Sequence, residues 1–287
     1  MKLGDAVGAA LNDRVMRMVR LGGGDVAEAY RVELASGAVV FSKTHREPPS
    51  GFFSTEAAGL RWLREANVIP VPDVLASSDG DEATPPMLVL EWIAESAQDP
   101  DEDAFGTALA RLHRSGAAAF GRQDRRSTGS RGLPNDPSDS WSEFYATQRL
   151  IPLARLIRDA EHLDDGLSSR IERVAGDIDA VAGPPEPPAR LHGDLWAGNR
   201  LVDIAGQSWL VDPACFGGHR EFDLAMMRLF GGFGEAAFRS YDEVDPLADG
   251  WEQRIPLHQL APLAVHAIKF GGGYLVGLDR ALRAVGA

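Results

Sequence analysis

Asp194, Asn199 and Asp212 are the residues whose types and spacing could do chemistry. They lie in Leu191-His192-Gly193-Asp194-Leu195-Trp196-Ala197-Gly198-Asn199 and, thirteen residues past Asn199, in Trp209-Leu210-Val211-Asp212-Pro213. The chemistry they suit is phosphoryl transfer, which asks a protein mainly for positioning and charge neutralisation. A carboxylate must orient the acceptor hydroxyl or take its proton, and Asp194 is the candidate. Magnesium takes hard oxygen ligands from the protein and phosphate oxygens from the nucleotide; Asn199 and Asp212 are the candidates. The residues between them read as a hairpin, Leu201-Val202-Asp203, a turn at Gly206, then Trp209-Leu210-Val211. Such a hairpin would fold Asp212 back beside Asn199, so that both could meet one metal. Asp203, at the hairpin tip, reads as solvated. His-Gly-Asp alone is more often a turn in which Asp caps the next segment; the two further ligands at these offsets reverse that reading.

The five-residue step from Asp194 to Asn199 is that of the protein-kinase catalytic loop H-R-D-x-x-x-x-N. Kinase chemistry also needs a phosphate-binding lysine. Lys43 ends an apolar strand, and Glu56 follows thirteen residues later on a helix, placed to pair with it. The bland alternative is a surface lysine and an exposed glutamate. Gly22-Gly23-Gly24-Asp25-Val26-Ala27 fits G-x-G-x-x-G at two glycines, with Ala27 at the third. Its backbone N–H groups could approach phosphate, although a glycine run is also just a linker. Backbone groups of Glu91 and Ile93, after the strand Leu88-Val89-Leu90, could bind an adenine edge. Trp196 could stack on a sugar ring or anchor the loop. His266, in an apolar helix, reads first as a core histidine. Asp223 would cap a helix after Gly217-Gly218 or brace the catalytic loop.

These residues need elements to hold them. Apolar spacing predicts a helix over 5–20, strands at 29–34 and 38–42 around a Ser36-Gly37 turn, a helix over 52–66, and strands at 74–76 and 87–90. Helices follow at 103–114, 141–156, 167–181, 222–230, 235–241 and 254–270, with a loop over 121–140 and a proline-rich spacer over 183–188. The fold class is α+β and bilobal: residues 1–94 form a small mixed nucleotide-binding lobe, and residues 95–287 a larger, mostly helical catalytic and substrate-binding lobe. At 287 residues and 44% hydrophobic content the chain can bury the core that this requires. A formal charge of −13 argues against a nucleic-acid partner. No apolar run is long enough for a membrane span, and the N-terminus lacks a secretory pattern. The single cysteine, Cys215, excludes an intramolecular disulfide. Together these point to a cytoplasmic enzyme.

His192-Gly193-Asp194-Leu195-Trp196-Ala197-Gly198-Asn199, Val211 to Ala225 and Phe230-Gly231-Gly232-Phe233 closely resemble the fructosamine-3-kinase (ketosamine kinase) family. The resemblance covers nearly the whole chain, and Trp196 within the loop is more specific than His-Gly-Asp alone. It implies a protein-kinase-like fold, the cofactors ATP and Mg²⁺, and phosphorylation of the 3-hydroxyl of a ketosamine, free or protein-bound. The unstable 3-phosphate would then break down and release the amine, which is deglycation. By the same resemblance Asp194 is the base, Asn199 and Asp212 hold magnesium, Lys43 and Glu56 position the nucleotide, and Trp196 and His266 lie near the sugar. A monomer is expected. Asp212 is followed by Pro213-Ala214 rather than Phe-Gly, and no A-P-E segment follows, so control through an activation loop is not expected. Competing readings are a kinase of the same fold acting on an aminoglycoside or a choline-like amino alcohol, and a catalytically silent nucleotide-binding protein.

Overall fold

Alternating apolar residues build the first sheet. The computed structural model describes residues 1–22, 27–124, 127–128, 132–160 and 165–287. They group into two compact units, Met1–Asp101 with Arg200–Pro213, and Glu102–Asn199 with Ala214–Ala287. In the first unit, strands β1 (Val15–Arg20), β2 (Glu28–Leu34), β3 (Val39–Thr44), β4 (Val74–Ser78) and β5 (Met87–Glu91) make a five-stranded antiparallel sheet in the order β1-β2-β3-β5-β4. Val32, Leu34, Val40, Met87 and Val89 turn to one face and pack on Ala6 and Val7 of α1 (Leu3–Leu11). The two-residue period sends Lys43 to the other face, toward α2 (Phe52–Glu65), which buries Phe53, Ala57, Leu60 and Leu63. The N–H groups of Phe53 and Ser54 open α2 and donate to Asp79 Oδ1 at 2.9 and 3.0 Å, a cap supplied from outside the helix.

The helix expected over 5–20 is instead α1 followed by strand β1. Asn12 adopts a left-handed conformation (φ 50°) and ends the helix. Val15, Met18 and Val19 suit either period, and pairing of Met18 with Val32 across β1 and β2 decides for the strand.

The expected hairpin is present as β9 (Arg200–Val202) and β10 (Ser208–Leu210), paired antiparallel. Its strands are tied to the first unit by two backbone bonds, Ser96 N–H to Val202 O at 2.8 Å and Leu210 N–H to Pro70 O at 3.0 Å. Asp203 does more than meet solvent. It accepts from the N–H groups of Ala205 and Gln207 and from Trp209 Nε1, the last at 2.8 Å, and so organises the turn.

The second unit contains α3 (Glu102–Arg114), a short ladder of β6 (Ser127–Thr128) with β7 (Leu133–Pro134), α4 (Trp141–Tyr145), α5 (Ile151–Asp159), α6 (Asp165–Gly176), β8 (Ala189–Leu191), β11 (Phe216–Gly218), α7 (Glu221–Phe230), α8 (Glu235–Val244), α9 (Trp251–Phe270) and α10 (Gly273–Ala284). Between α4 and α5 the chain widens to a π-turn over Ala146–Leu150, just before Pro152, which has no N–H for the α-helical ladder. Arg149 is buried between the rings of Phe144 and Phe216, 4.6 and 4.4 Å from their centroids, and donates to Pro134 O and Asn135 Oδ1. Helix α10 has no counterpart in the sequence reading. It is set off from α9 by Gly271 and Gly272, whose φ of 63° and 56° with strongly negative ψ only glycine adopts readily. Strands β8 and β11 pair antiparallel and flank the His192–Asp194 loop on one side and the segment after Asp212 on the other.

Candidate active site

Burial on β3 and α2 creates the first charged cluster. Lys43 Nζ lies 2.6 Å from Glu56 Oε2 and 2.8 Å from Asp212 Oδ1. The Lys43 and Glu56 side chains are only 8% and 10% exposed, so the surface alternative does not hold for either. Burial alone would lower the Lys43 pKa, but the Glu56 and Asp212 carboxylates outweigh it and hold the ammonium charged. For Glu56, burial wins and pushes its carboxyl up to about 7, with Lys43 offsetting only part. Asp212 follows β10 in a left-handed conformation (φ 52°), unusual for a residue with a side chain, and its carboxylate is about half exposed. The hairpin thus delivers a carboxylate to Lys43.

The second cluster is the loop after β8. Gly193 has φ +80°, and a Cβ there would stand 2.1 Å from Ala214 O, so the turn requires glycine. His192 O accepts the Ala214 N–H at 2.9 Å. Asn199 Nδ2 donates to Asp194 O at 2.8 Å and to Asp194 Oδ2 at 3.2 Å. This orients the Asp194 carboxylate and commits the amide nitrogen, so the amide oxygen is the Asn199 atom able to meet a cation. An amide oxygen is a hard donor that suits magnesium and not a soft metal.

Asp223 holds this loop from beneath. It lies in the first turn of α7, fully buried, and accepts the N–H groups of His192 at 2.7 Å and Gly193 at 2.9 Å. Bracing, rather than capping its own helix, is what its carboxylate does. His113 Nε2 lies 3.3 Å from Asp223 Oδ2, and His113 Nδ1 lies 2.8 Å from the Tyr241 hydroxyl. A carboxylate only accepts, so the neutral ring carries its hydrogen on Nε2 and takes the Tyr241 O–H at Nδ1. His113 and Tyr241 carried no signal in the sequence, being far from the motif and on amphipathic helices α3 and α8. Next to Asp223, Glu221 is buried against Arg254 and His258; burial opposes its charge, yet these partners hold its carboxyl down to about 2.

Trp196 is 42% exposed and lies flat on the loop, where a Cβ at Gly198 would meet its ring at 2.2 Å. It is therefore both packed on the loop and open to solvent. Its ring meets Phe230 edge-on at 6.2 Å. His266 is half-buried rather than a core residue. Its Nδ1 donates to Pro262 O at 2.8 Å, and its ring touches Phe230, Phe270 and Tyr274. Glu91 closes β5, and its N–H donates to Asp73 O at 2.9 Å; Ile93 is buried. Gly22 is exposed at the end of β1, while Gly23 and Gly24 lie outside the described residues. Cys215 is buried and its thiol is pushed up by burial, so it is poorly nucleophilic.

A model of the fructosamine kinase family matches residues 6–286. The chain belongs to the fructosamine kinase family. It is accordingly a kinase, a phosphotransferase acting on a hydroxyl group, of α+β protein-kinase-like fold. A probable ketoamine kinase of Enterococcus faecium is 34% identical over 276 residues, covering 95% of each chain. The chloroplastic protein-ribulosamine 3-kinase of Arabidopsis thaliana is 31% identical over 267 residues, covering 91% of this chain and 80% of the plant one. A crystal structure from Thermobifida fusca, provisionally named a fructosamine-3-kinase, superposes with a TM-score of 0.89 at 39% identity over 99% of this kinase and 98% of that chain. An aminoglycoside phosphotransferase bound to ADP and hygromycin B, 14% identical with a TM-score of 0.65 over 100% of both chains, shares the fold alone.

Proposed function

We propose that this kinase transfers the γ-phosphoryl group of ATP to the 3-hydroxyl of a ketosamine, free or protein-bound, and so starts deglycation of the amine. The Lys43–Glu56–Asp212 cluster is the observation that carries the nucleotide half of this reading, because a buried lysine shared by two carboxylates suits a kinase phosphate site. Membership of the family carries the acceptor half.

In this reading residues 1–94 bind the nucleotide and residues 95–287 supply catalysis and the acceptor site. Lys43 binds the α/β-phosphates, braced by Glu56. Backbone N–H groups of Gly22, Gly23 and Gly24 approach the phosphates, and backbone groups of Glu91 and Ile93 meet the adenine edge. Asn199 and Asp212 hold Mg²⁺, which neutralises phosphate charge. Asp194, oriented by the Asn199 amide, takes the proton of the acceptor hydroxyl as the oxygen attacks phosphorus. Trp196 and His266 border the sugar. The resulting 3-phosphate breaks down and frees the amine. No helix is long and apolar enough to cross a membrane among the described residues; the proposed setting is a cytoplasmic monomer.

The test is ATP consumption, with phosphate position read by NMR, against fructosamines, ribulosamines, erythrulosamines, aminoglycosides and choline. Phosphorylation of ketosamines at the 3-hydroxyl is expected, and turnover of aminoglycosides or choline alone would overturn the acceptor. The Asp194→Asn variant is expected to lose turnover by at least a hundredfold while retaining MgATP binding; undiminished turnover would remove the base assignment.

A further inference from the structure

Helix α2, which carries Glu56, starts without a side-chain cap of its own. Its N-cap residue is Gly51, in a left-handed conformation (φ 73°), and no acidic residue stands in its first turn. The first N–H groups of a helix have no partner within it. Here Phe52 N–H donates to Pro49 O and Thr55 N–H to Gly51 O. The two between them, Phe53 and Ser54, both donate to one oxygen, Asp79 Oδ1, at 2.9 and 3.0 Å. Asp79 directly follows β4, far from α2 in sequence, and its negative charge suits the positive end of the helix.

The turn that carries Asp79 also reaches β3. Gly80 has φ 93°, and a Cβ there would stand 2.8 Å from the Pro86 ring, so the turn closes on itself only with glycine. Asp81 Oδ1 accepts the N–H groups of Ala83 and Thr84 at 2.8 and 2.7 Å, which fixes the turn internally. At its far end Pro86 O accepts the Thr44 hydroxyl at 2.6 Å. Thr44 adjoins Lys43 on β3, and Glu56 stands about one helical turn beyond Phe53 on α2. A single β4–β5 turn thus holds the backbones that carry both members of the 2.6 Å Lys43–Glu56 pair.

We propose that Asp79 is a positioning residue of the nucleotide site: by fixing the first turn of α2 it sets where Glu56 meets Lys43. It acts through Glu56 and touches no nucleotide. This rests on Lys43 and Glu56 serving the nucleotide, and it holds whichever acceptor is phosphorylated. Asp79 is exposed, so truncating it removes two hydrogen bonds and opens no cavity.

MgATP binding, measured by calorimetry without any acceptor, decides it. Asp79→Ala is expected to weaken binding about fivefold, the size of a lost cap. Asp79→Asn, whose amide oxygen can accept the same two N–H groups, is expected to stay within about twofold of the wild type. The Glu56→Ala background separates positioning from plain helix stability. There Asp79→Ala should weaken binding less than about twofold further, while lowering the melting temperature in both backgrounds alike. A full further loss in that background, or unchanged binding by Asp79→Ala in the wild-type background, would overturn the proposal. Unchanged binding by both Lys43→Met and Glu56→Ala would remove the nucleotide reading of the pair, and the role of Asp79 with it.

Discussion

Glu56 shows how one buried residue ties pH to stability. Its carboxyl is pushed up to about 7 by burial, against an ordinary value of 4.5, so between these values the folded protein binds a proton that the unfolded chain has lost. Its contribution to stability is therefore fully present below the unfolded pKa and fades as pH rises through 7. Melting temperature followed from pH 4.5 to 8 should carry this falling component, and Glu56→Gln should lack it; an unchanged profile would show that Glu56 is ionised throughout. Lys43→Met should raise KM for ATP at least tenfold, because the variant leaves Glu56 and Asp212 without their shared cation. Gly198 is the matching case in the loop. A methyl group there would meet the Trp196 ring at 2.2 Å, so Gly198→Ala should swing the indole away. Acceptor KM should rise severalfold with a shift in tryptophan emission, while KM for ATP stays within twofold.

The loop from His192 to Asn199 is held as an element by groups from three helices. Asp223 of α7 takes two loop N–H groups, and His113 of α3 links it to Tyr241 of α8. Removing one acceptor from this buried set leaves donors unpaired, which costs on the order of 1–3 kcal/mol each. Asp223→Asn should lower the urea midpoint accordingly and reduce kcat more than KM for ATP, since the loop and not the nucleotide site loses its support. Tyr241→Phe should be milder and keep the loop in register; a kcat loss as deep as that of Asp223→Asn would show that the hydroxyl matters beyond support. Element boundaries depended on similar long-range facts. The α1–β1 break rests on Asn12 and on pairing with β2, and Val15, Met18 and Val19 fit a helix as well as a strand.

At the scale of the whole molecule, the lone thiol of Cys215 reports on global structure. It is buried and its pKa is raised, so iodoacetamide at pH 8 should leave the native kinase unmodified and label it only on unfolding, as read by intact mass. Rapid native labelling would show that the segment after Asp212 opens. The strands and helices of the first hundred residues were largely legible, because alternation and the 3.6-residue period are local signals. The α10 helix was not, since Gly271-Gly272-Gly273 reads as an ending and only packing on α9 shows that a helix resumes.

Residue type and short spacing by themselves pointed to phosphoryl chemistry and named Asp194, Asn199, Asp212 and Lys43 as its candidate residues. Those signals survive in sequence because each motif is a few residues long and its members act from one loop or one strand. Only the tertiary structure decided that Lys43 shares its charge with both Glu56 and Asp212, that Asp223 braces instead of capping, that His113 and Tyr241 stand behind it, and that the Trp196 ring meets Phe230. Such contacts join residues tens to more than a hundred positions apart, and no local periodicity or propensity encodes which distant side chains burial will bring together.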